Sequence, residues 1–372
     1  MERQRIVVKI GSSSLTHPDG ALSHDKIRHW AQAIARLRQS GHSVILISSG
    51  AVAAGFRGLG YPNWPEMIPA KQASAAVGQS LLMQAWADQF DQHQITTAQL
   101  LLTREDFSDR TRYQNAHATL TELLGRGALP IINENDSVSI AELTFGDNDM
   151  LSALVSGLMH ADMLMIMTDI NGLYDADPRE NPNAYRYPYL PRLPDRLIEK
   201  ATSSGSRVGT GGMRSKVEAA QTALSLGVRV FIGTGQENDA LIAILTGRGD
   251  GTYIGSKLNT VKARKQWIGL HSKSAGHLVI DPGAEHALLK GGKSLLPVGV
   301  LAAHGTFQSG DVVEVLNTAG QRIGKGIVGF SAFQLNQIKG RSTADIRLPN
   351  MPDHEEVIHR DDWVALEKEM MS

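Results

Sequence analysis

The sequence predicts a three-layer αβα sandwich built on a mainly parallel sheet, followed by a small mainly-β domain. Three observations predict it. Strand-like and helix-like stretches alternate from residue 5 to about residue 255. Several strands are apolar throughout, as strands covered by helices on both faces must be; Met163-Leu164-Met165-Ile166-Met167 is the clearest. Beyond about residue 275 the alternation stops, and strands separated by Gly and Asp turns take over.

The first strand is 5–10, and a helix follows near 24–40. Further strands are expected at 43–48, 95–100, 128–133, 163–168 and 228–232, with helices near 69–91, 112–125, 148–160 and 212–226. Gly41, Gly127 and Gly227 stand where helices return to strands, a position that favours a residue able to turn left-handed. Around 256–275 the texture becomes polar and basic (Lys262, Arg264, Lys265), as in a surface crossing. Strands are expected again at 276–280, 296–300, 312–316 and 324–330. The predicted division is a first domain over 1–258, a linker over 259–274, a second domain over 275–355 and a C-terminal tail over 356–372.

Composition bounds the function. A chain of 372 residues exceeds one ordinary core and suits two domains. With 42% apolar and 20% charged residues it is globular rather than disordered. A formal net charge of −1 lacks the overall basic excess of a dedicated nucleic-acid binder. There is no cysteine, which excludes disulfides, thiolate zinc sites and a cysteine nucleophile. The first residues run straight into Ile6-Val7-Val8 without the pattern of a secretory signal, and no apolar run nears the ~18 residues of a membrane span. A soluble, cytoplasmic protein is the expectation.

In open parallel sheets ligands bind at the carboxyl ends of the strands, and here those ends are polar. Lys9 lies inside an apolar strand, where its charge is costly without an anionic partner. Gly11 and Ser12-Ser13-Ser14 follow, offering close backbone approach and donors for a phosphate; a lysine snorkelling to water beside an ordinary turn is the alternative. Ser49-Gly50-Ala51 at the second strand combines donors with small residues, which also suits plain helix–sheet packing. Asn133-Glu134-Asn135-Asp136 is denser than turn chemistry requires, and Gly146-Asp147-Asn148-Asp149 supplies more polar groups than a helix cap. Thr168-Asp169 opens a turn-rich loop able to hold a nucleotide's base and ribose. The strongest local signal is Gly209-Thr210-Gly211-Gly212-Met213-Arg214-Ser215-Lys216, glycine-rich backbone leading into a helix, with a mobile cation for a transferring phosphoryl group.

Familiar alternatives fail on spacing. The nearest dinucleotide fingerprint has Arg214 where its last glycine belongs. A Walker-like run ending Gly292-Lys293-Ser294 begins with Ala287 instead of glycine and reads as a turn. His354 and His359 are five apart, so they would not share the helix face that a zinc pair needs.

The stretches VVKIGSSSLT, SSGAVAAG, PIINENDSV, FGDNDMLSALV, TDINGLYDADPR and GTGGMRSK, in that order, resemble the amino acid kinase family. Asn-Glu-Asn-Asp, Gly-Asp-Asn-Asp and Gly-Thr-Gly-Gly-Met are similar to its glutamate-phosphorylating branch. The second domain resembles PUA domains through Gly276–Ala284, Lys293–Val300 and Phe307–Val313. The resemblance implies an amino acid kinase-like sheet and ATP-dependent phosphorylation of the L-glutamate side-chain carboxylate, giving γ-glutamyl phosphate for proline synthesis. It further implies Mg²⁺ bridging the ATP phosphates, a homo-oligomer (dimer or tetramer) and feedback inhibition by proline. Lys9 would neutralise charge on the phosphates, with Gly11 and Gly50 offering backbone donors. Ser49, Asp136 and Asn148 would hold glutamate, and Asp149 would orient Lys9 and Lys216. Thr168, Asp169 and the run Thr210, Gly211, Gly212, Met213, Arg214, Ser215 and Lys216 would hold ATP together with Lys9. No direct metal ligand is assigned.

Two alternatives stay open at this stage. One is a family member acting on another carboxylate, such as acetylglutamate. The other is an RNA-binding protein with PUA as its working end, which the neutral charge balance supports poorly; a structural or regulatory appendage is the other role for PUA. The Pro- and Tyr-rich stretch 184–195 departs from the expected pattern near the nucleotide.

Overall fold

The computed structural model describes residues 3–138, 148–176, 178, 181–194, 197, 212–235, 239–255, 274–342 and 356–365. They form two compact units, the first made mostly of the elements up to residue 255 and the second of those from residue 274, to which the short stretches Gln114–Ala118 and Ser225–Gly227 are also assigned.

The first unit contains β1 (Arg5–Ile10), α1 (His24–Gln39), β2 (Ser43–Ser48), α2 (Ala51–Gly55), α3 (Ile68–Asp91), β3 (Thr97–Leu102), α4 (Arg110–Gly125), β4 (Leu129–Glu134), α5 (Asn148–Leu158) and β5 (Met163–Met167). The short strands β6 (Leu173–Tyr174), β7 (Arg186–Tyr187) and β8 (Tyr189–Leu190) follow, then α6 (Met213–Ser225), β9 (Arg229–Gly233), α7 (Ala240–Leu245) and β10 (Gly251–Ile254). Their main sheet runs β3-β4-β2-β1-β5-β9-β10-β8, and β6 pairs with β7 apart from it. Every pairing in the main sheet is parallel except β9 with β10.

Strand alternation explains how the sheet serves a site. Ile6, Val8 and Ile10 join one core with Ile27, Trp30 and Ile34 of α1 and with Leu82 and Trp86 of α3. Neighbouring side chains of a strand point to opposite faces, so Val7 and Lys9 belong to the other face. α1 forms because Ile27, Trp30, Ala31, Ile34 and Leu37 recur at helical spacing on its buried side, and Ser23 caps it by accepting from the Lys26 amide. Gly41, Gly127 and Gly227 have φ of +92°, +74° and +80°, the left-handed turns expected where these helices end. The antiparallel β10 is not anticipated by the sequence pattern: four residues starting with glycine carry too little periodicity.

The second unit has β11 (Gly276–Ile280), α8 (Pro282–Leu289), β12 (Val300–Gly305), β13 (Val312–Leu316), β14 (Arg322–Ile327), α9 (Ala332–Ile338) and β15 (Trp363–Ala365). The strands form a sheet of order β12-β11-β13-β14-β15 around Leu278, Ile280, Val313, Val315, Phe330 and Leu335. The strand expected at 296–300 starts only at Val300, because Pro297 opens a single 3-10 turn first. The Walker-like run is the end of α8 and the turn after it, with Gly292 at φ +55°. A phosphate loop precedes a helix, and this one follows one. Within the stretch 356–372, expected as a tail, Val357 and Ile358 are buried in the core and Trp363–Ala365 is the edge strand. His354 and the linker 259–273 lie outside the described residues. Among the described residues, no helix is long and apolar enough to cross a membrane.

One close contact sets the entrance to α2. α2 and α3 cross with Gly55 against Gly78; a Cβ at Gly78 would lie 1.8 Å from the Ala51 carbonyl oxygen, and one at Gly55 2.0 Å from that of Ser74. Backbone on both sides leaves no side chain to give way. Gly78→Ala is expected to cost about 3 kcal/mol or more through forced separation of the helices. Gly58→Ala, whose Cβ would meet only Val77 at 3.7 Å, is expected to be near neutral. Thermal melts of the two variants check this.

Candidate active site

Three segments distant in sequence meet at the carboxyl end of β1. Lys9 Nζ lies 2.6 Å from Asp149 Oδ1, and Lys216 Nζ lies 3.3 Å from Asp149 Oδ2. Ser215 Oγ donates to the same Oδ2 at 2.7 Å and lies 2.9 Å from the Gly212 carbonyl oxygen. Asp149 is fully buried, and Lys9 and Lys216 are 4% and 7% exposed. Asp149 stands in the first turn of α5 and Lys216 in that of α6, so two helix N-termini, with their positive partial charge, adjoin the cluster. Burial alone would raise the Asp149 pKa. The charges of Lys9 and Lys216, with hydrogen bonds from Lys9 and Ser215, outweigh it and hold the carboxyl at about 2. Two ammonium groups share one carboxylate. The cluster therefore sets two ammonium groups away from water at the strand ends, where they can also meet an anion.

Two glycines keep its surroundings open. A Cβ at Gly11 would lie 3.4 Å from Lys9 Nζ, so a side chain here would stand beside the ammonium group. Gly50 has φ +107° as the N-cap of α2, a conformation that disfavours any side chain.

Beside the cluster is a polar shelf. Asn148 Nδ2 donates to Ser49 Oγ at 3.0 Å and to Asn133 Oδ1 at 3.1 Å. Asn133 Nδ2 in turn donates to Gln79 Oε1 at 2.8 Å, and Asn133 Oδ1 also accepts from the Glu134 amide at 2.9 Å. The donors of Asn148 are thus spent, while its buried Oδ1 and both carboxylate oxygens of buried Glu134 have no hydrogen-bond partner among the described residues. Asp136 is half-buried just beyond β4, and burial pushes its carboxyl up to about 6.

On the other side, Thr168 and Asp169 leave β5, joined by a hydrogen bond from Thr168 Oγ1 to Asp169 Oδ1 at 3.1 Å. Asp169 lines a cavity of about 560 Å³ whose walls include Ile170, Asn171, Thr234, Arg248 and Asp250. Arg214 is engaged elsewhere, in an ion pair with Glu218 at 2.8 Å on its own helix. Thr210 and Gly211 lie outside the described residues, while Gly212 and Met213 bring the chain into α6.

The structure therefore gathers Lys9, Gly11, Asp149, Ser215 and Lys216 at one point and pairs Ser49 with Asn148. Among the described residues no hydrogen bond joins Asp136 to that pair. Sequence reasoning did not single out Gln79, whose mid-helix position carries no signal. It also missed Thr234 and Asp250 at the cavity, since Asp250 precedes the unanticipated β10, whereas Asn171 lies in the loop after β5 that the sequence reads as able to hold base and ribose. Among the described residues no group of three or more acidic or histidine side chains is placed to hold a metal ion.

A parallel sheet with a buried cationic cluster at its strand ends is the architecture of a phosphoryl-transfer enzyme. Residues 4–234 match the amino acid kinase family and residues 276–348 match the PUA domain; the chain belongs to the amino acid kinase family. Within that family its full-length relatives are glutamate 5-kinases. It is 59% identical to the Glutamate 5-kinase of Geobacillus kaustophilus, covering 100% of both chains. It is 58% identical to that of Halalkalibacterium halodurans over 100% of this chain and 99% of the relative. It is also 58% identical to Glutamate 5-kinase 1 of Bacillus subtilis, over 98% and 99% respectively.

Asp149→Asn is expected to cost about 3–5 kcal/mol, because it leaves two buried lysines without their counter-charge. The pH dependence of stability has a definite sign. The folded pKa of Asp149 is depressed from 3.8 to about 2, so its contribution is complete above 3.8 and is lost as pH falls towards 2. That contribution is about 2 kcal/mol at neutral pH. Denaturant titrations between pH 2 and 6, with and without the substitution, measure it.

Proposed function

We propose that this protein transfers the γ-phosphoryl group of ATP to the side-chain carboxylate of L-glutamate, forming γ-glutamyl phosphate at the start of proline synthesis. The observation that carries the proposal is the buried Lys9–Asp149–Lys216 cluster, whose two ammonium groups, held by one carboxylate at the strand ends, suit a phosphoryl group in transfer. The acceptor carboxylate is already ionised at neutral pH, so no general base is required. Catalysis then rests on alignment and charge neutralisation.

In this mechanism Lys9 and Lys216 face the phosphate oxygens, and Asp149 fixes both ammonium groups between turnovers. The bare backbone at Gly11 and Gly50 lets the oxygens approach the main-chain donors. Ser49, Asn148 and Asp136 hold glutamate. The open acceptor on Asn148 and the acidic Asp136 suit its α-ammonium group. ATP places its base and ribose in the cavity beside Asp169, with Thr168 and residues 210–216 towards its phosphates. Both oxygens of Asp149 are taken by lysines, so the described residues offer no cage for a cation. Mg²⁺ is proposed only as a companion of the ATP phosphates, which suits its preference for phosphate oxygens and water.

The wider reading is a cytoplasmic homo-oligomer, dimer or tetramer. Proline competes for the glutamate shelf, and the PUA domain is an appendage rather than an RNA-binding centre. The domain limits proposed are 1–258 for the kinase and 259–274 for the linker, with PUA beginning at 275 and running past the expected limit of 355. Strand β15 and buried Val357 and Ile358 support a longer second domain.

Trapping the acyl phosphate with hydroxylamine tests the reaction. Glutamate, ATP and Mg²⁺ together are expected to give γ-glutamyl hydroxamate; turnover of acetylglutamate but not glutamate would overturn the substrate. Lys216→Ala and Lys9→Ala are each expected to lower kcat by about 10²–10³. A near-normal rate in Lys216→Ala removes that lysine from the mechanism.

The raised Asp136 carboxyl gives a second prediction. Below about pH 6 it is protonated and no longer attracts an ammonium group. KM for glutamate is therefore expected to rise as pH falls through 6, and Asp136→Asn to remove that dependence while raising KM at neutral pH. A flat KM profile in the unmodified protein would detach Asp136 from substrate binding.

A further inference from the structure

The cavity beside Asp169 is walled by the chain after β5, the chain after β9 and the residues just before β10, whose main chains meet where the Thr168 amide donates to the Gly233 carbonyl at 2.9 Å and the Thr234 amide to the Asp250 carbonyl at 3.0 Å. One side chain ties all three. Asp250 Oδ1 accepts from Asn171 Nδ2 at 3.3 Å, and its Oδ2 accepts from Thr234 Oγ1 at 3.1 Å. Arg186 of β7 adds its guanidinium to Oδ1 and also donates to the Asn171 carbonyl at 3.3 Å. Asn171 Oδ1 accepts from Tyr174 Oη at 2.5 Å. Both ends of the Asn171 side chain are thus committed, and its position depends on Asp250.

We propose that Asp250 is a positioning residue for nucleotide binding: with Arg186 it holds Asn171 and Thr234 in place as the rim of the cavity. The proposal rests on reading that cavity as the seat of the ATP base and ribose. It gives the Tyr- and Pro-rich stretch 184–194 a purpose, since Arg186 is the residue through which that stretch reaches the rim.

Stability does not explain the arrangement. The Asp250 and Arg186 side chains are 56% and 34% exposed, and ion pairs this accessible to water contribute little to folding. The backbone here is secured independently. The Leu173 amide donates to Thr252 Oγ1 at 2.8 Å, and Thr252 Oγ1 donates to the Tyr187 carbonyl at 2.5 Å, on the fully buried Thr252. A Cβ at Gly251 would lie 2.4 Å from the Ile232 carbonyl oxygen, so the chain beside Asp250 is fitted closely to β9. Thr252 and the glycine contact hold the main chain, which leaves Asp250 to orient the side chains at the mouth. The carboxyl suits that task. Burial pushes its pKa up, but hydrogen bonds from Arg186, Thr234 and Asn171 outweigh this and hold it below the usual range, so it stays ionised at working pH.

The test is steady-state kinetics of the full chain with the hydroxamate readout, varying ATP and glutamate separately, alongside thermal melts. Asp250→Ala is expected to raise KM for ATP about tenfold, with KM for glutamate and kcat at saturating ATP within twofold and the melting temperature nearly unchanged. Asp250→Asn retains acceptors without the charge and is expected to recover part of the loss. Arg186→Met is expected to raise KM for ATP several-fold and to add little on top of Asp250→Ala, as members of one network do. The proposal is overturned if Asp250→Ala leaves KM for ATP within twofold. It is also overturned if KM for ATP and glutamate rise together with a lowered melting temperature, the mark of general loosening. Failure of the ATP reading looks different: the unmodified protein then shows no ATP-dependent product, and the proposal falls with it.

Discussion

Everything at the proposed site depends on one buried carboxylate between two ammonium groups. Removing any of these charges from water is costly, and only close pairing makes the burial tolerable. Lys9 comes from a strand, Asp149 from the first turn of one helix and Lys216 from the first turn of another. The sheet, α5 and α6 must therefore be packed together before the charges are satisfied. The cost of a mispacked structure is an unpaired buried ion, which helps make this region of the fold specific. The same pairing holds two ammonium groups side by side at the strand ends, and this links the architecture to chemistry on anions.

The surroundings of the cluster divide by hydrogen-bonding character. At the lysines the chain presents donors and bare glycine backbone. At the Asn148 shelf the donors are consumed internally, and among the described residues its acceptors have no partner. A ligand lying across both would bring negative charge to the first and donors to the second. An amino acid whose side-chain carboxylate is being phosphorylated has that polarity, with its ammonium group at the far end. The shelf depends on Gln79 of α3, and α3 reaches α2 through the contact of Gly55 with Gly78. Substrate geometry and helix packing are in this way the same constraint seen at two distances.

Much of this was legible in the sequence because strand ends announce themselves. Met163–Met167 is apolar at every position and could only be a covered strand, and Lys9 inside a similar strand implied a buried partner. The partner was open on local evidence, since carboxylates also cluster in turns, and resemblance supplied Asp149. Residues without a local signature were not legible. Gln79 sits in the middle of a helix, and its role exists only through Asn133. Asp250 precedes a four-residue antiparallel strand, and short strands have too few positions for alternation to show. Pro297 delayed β12 by a turn that apolar content alone does not reveal. β15 was hidden for the reason that edge strands often are: three residues, paired on one side, with only Trp363 buried.

Asp149 and Asp250 use one device at two depths, and the difference between them decides what each does. Each carboxylate receives donors from several segments. Asp149 is fully buried, so its partners are fixed by a desolvation cost that grows sharply if any one leaves. Its charges must be in place before the ligand arrives, as electrostatic preorganisation demands. Asp250 is more than half exposed, and water can replace any of its partners at little cost. A tie of that kind contributes little to holding a fold together, but it can bias side chains towards one arrangement. Such a bias acts on binding rather than on the chemical step, because the transferring group lies elsewhere. In the proposed mechanism burial thus separates the two functions: the dry carboxylate would govern rate, and the wet one how readily the nucleotide finds its seat.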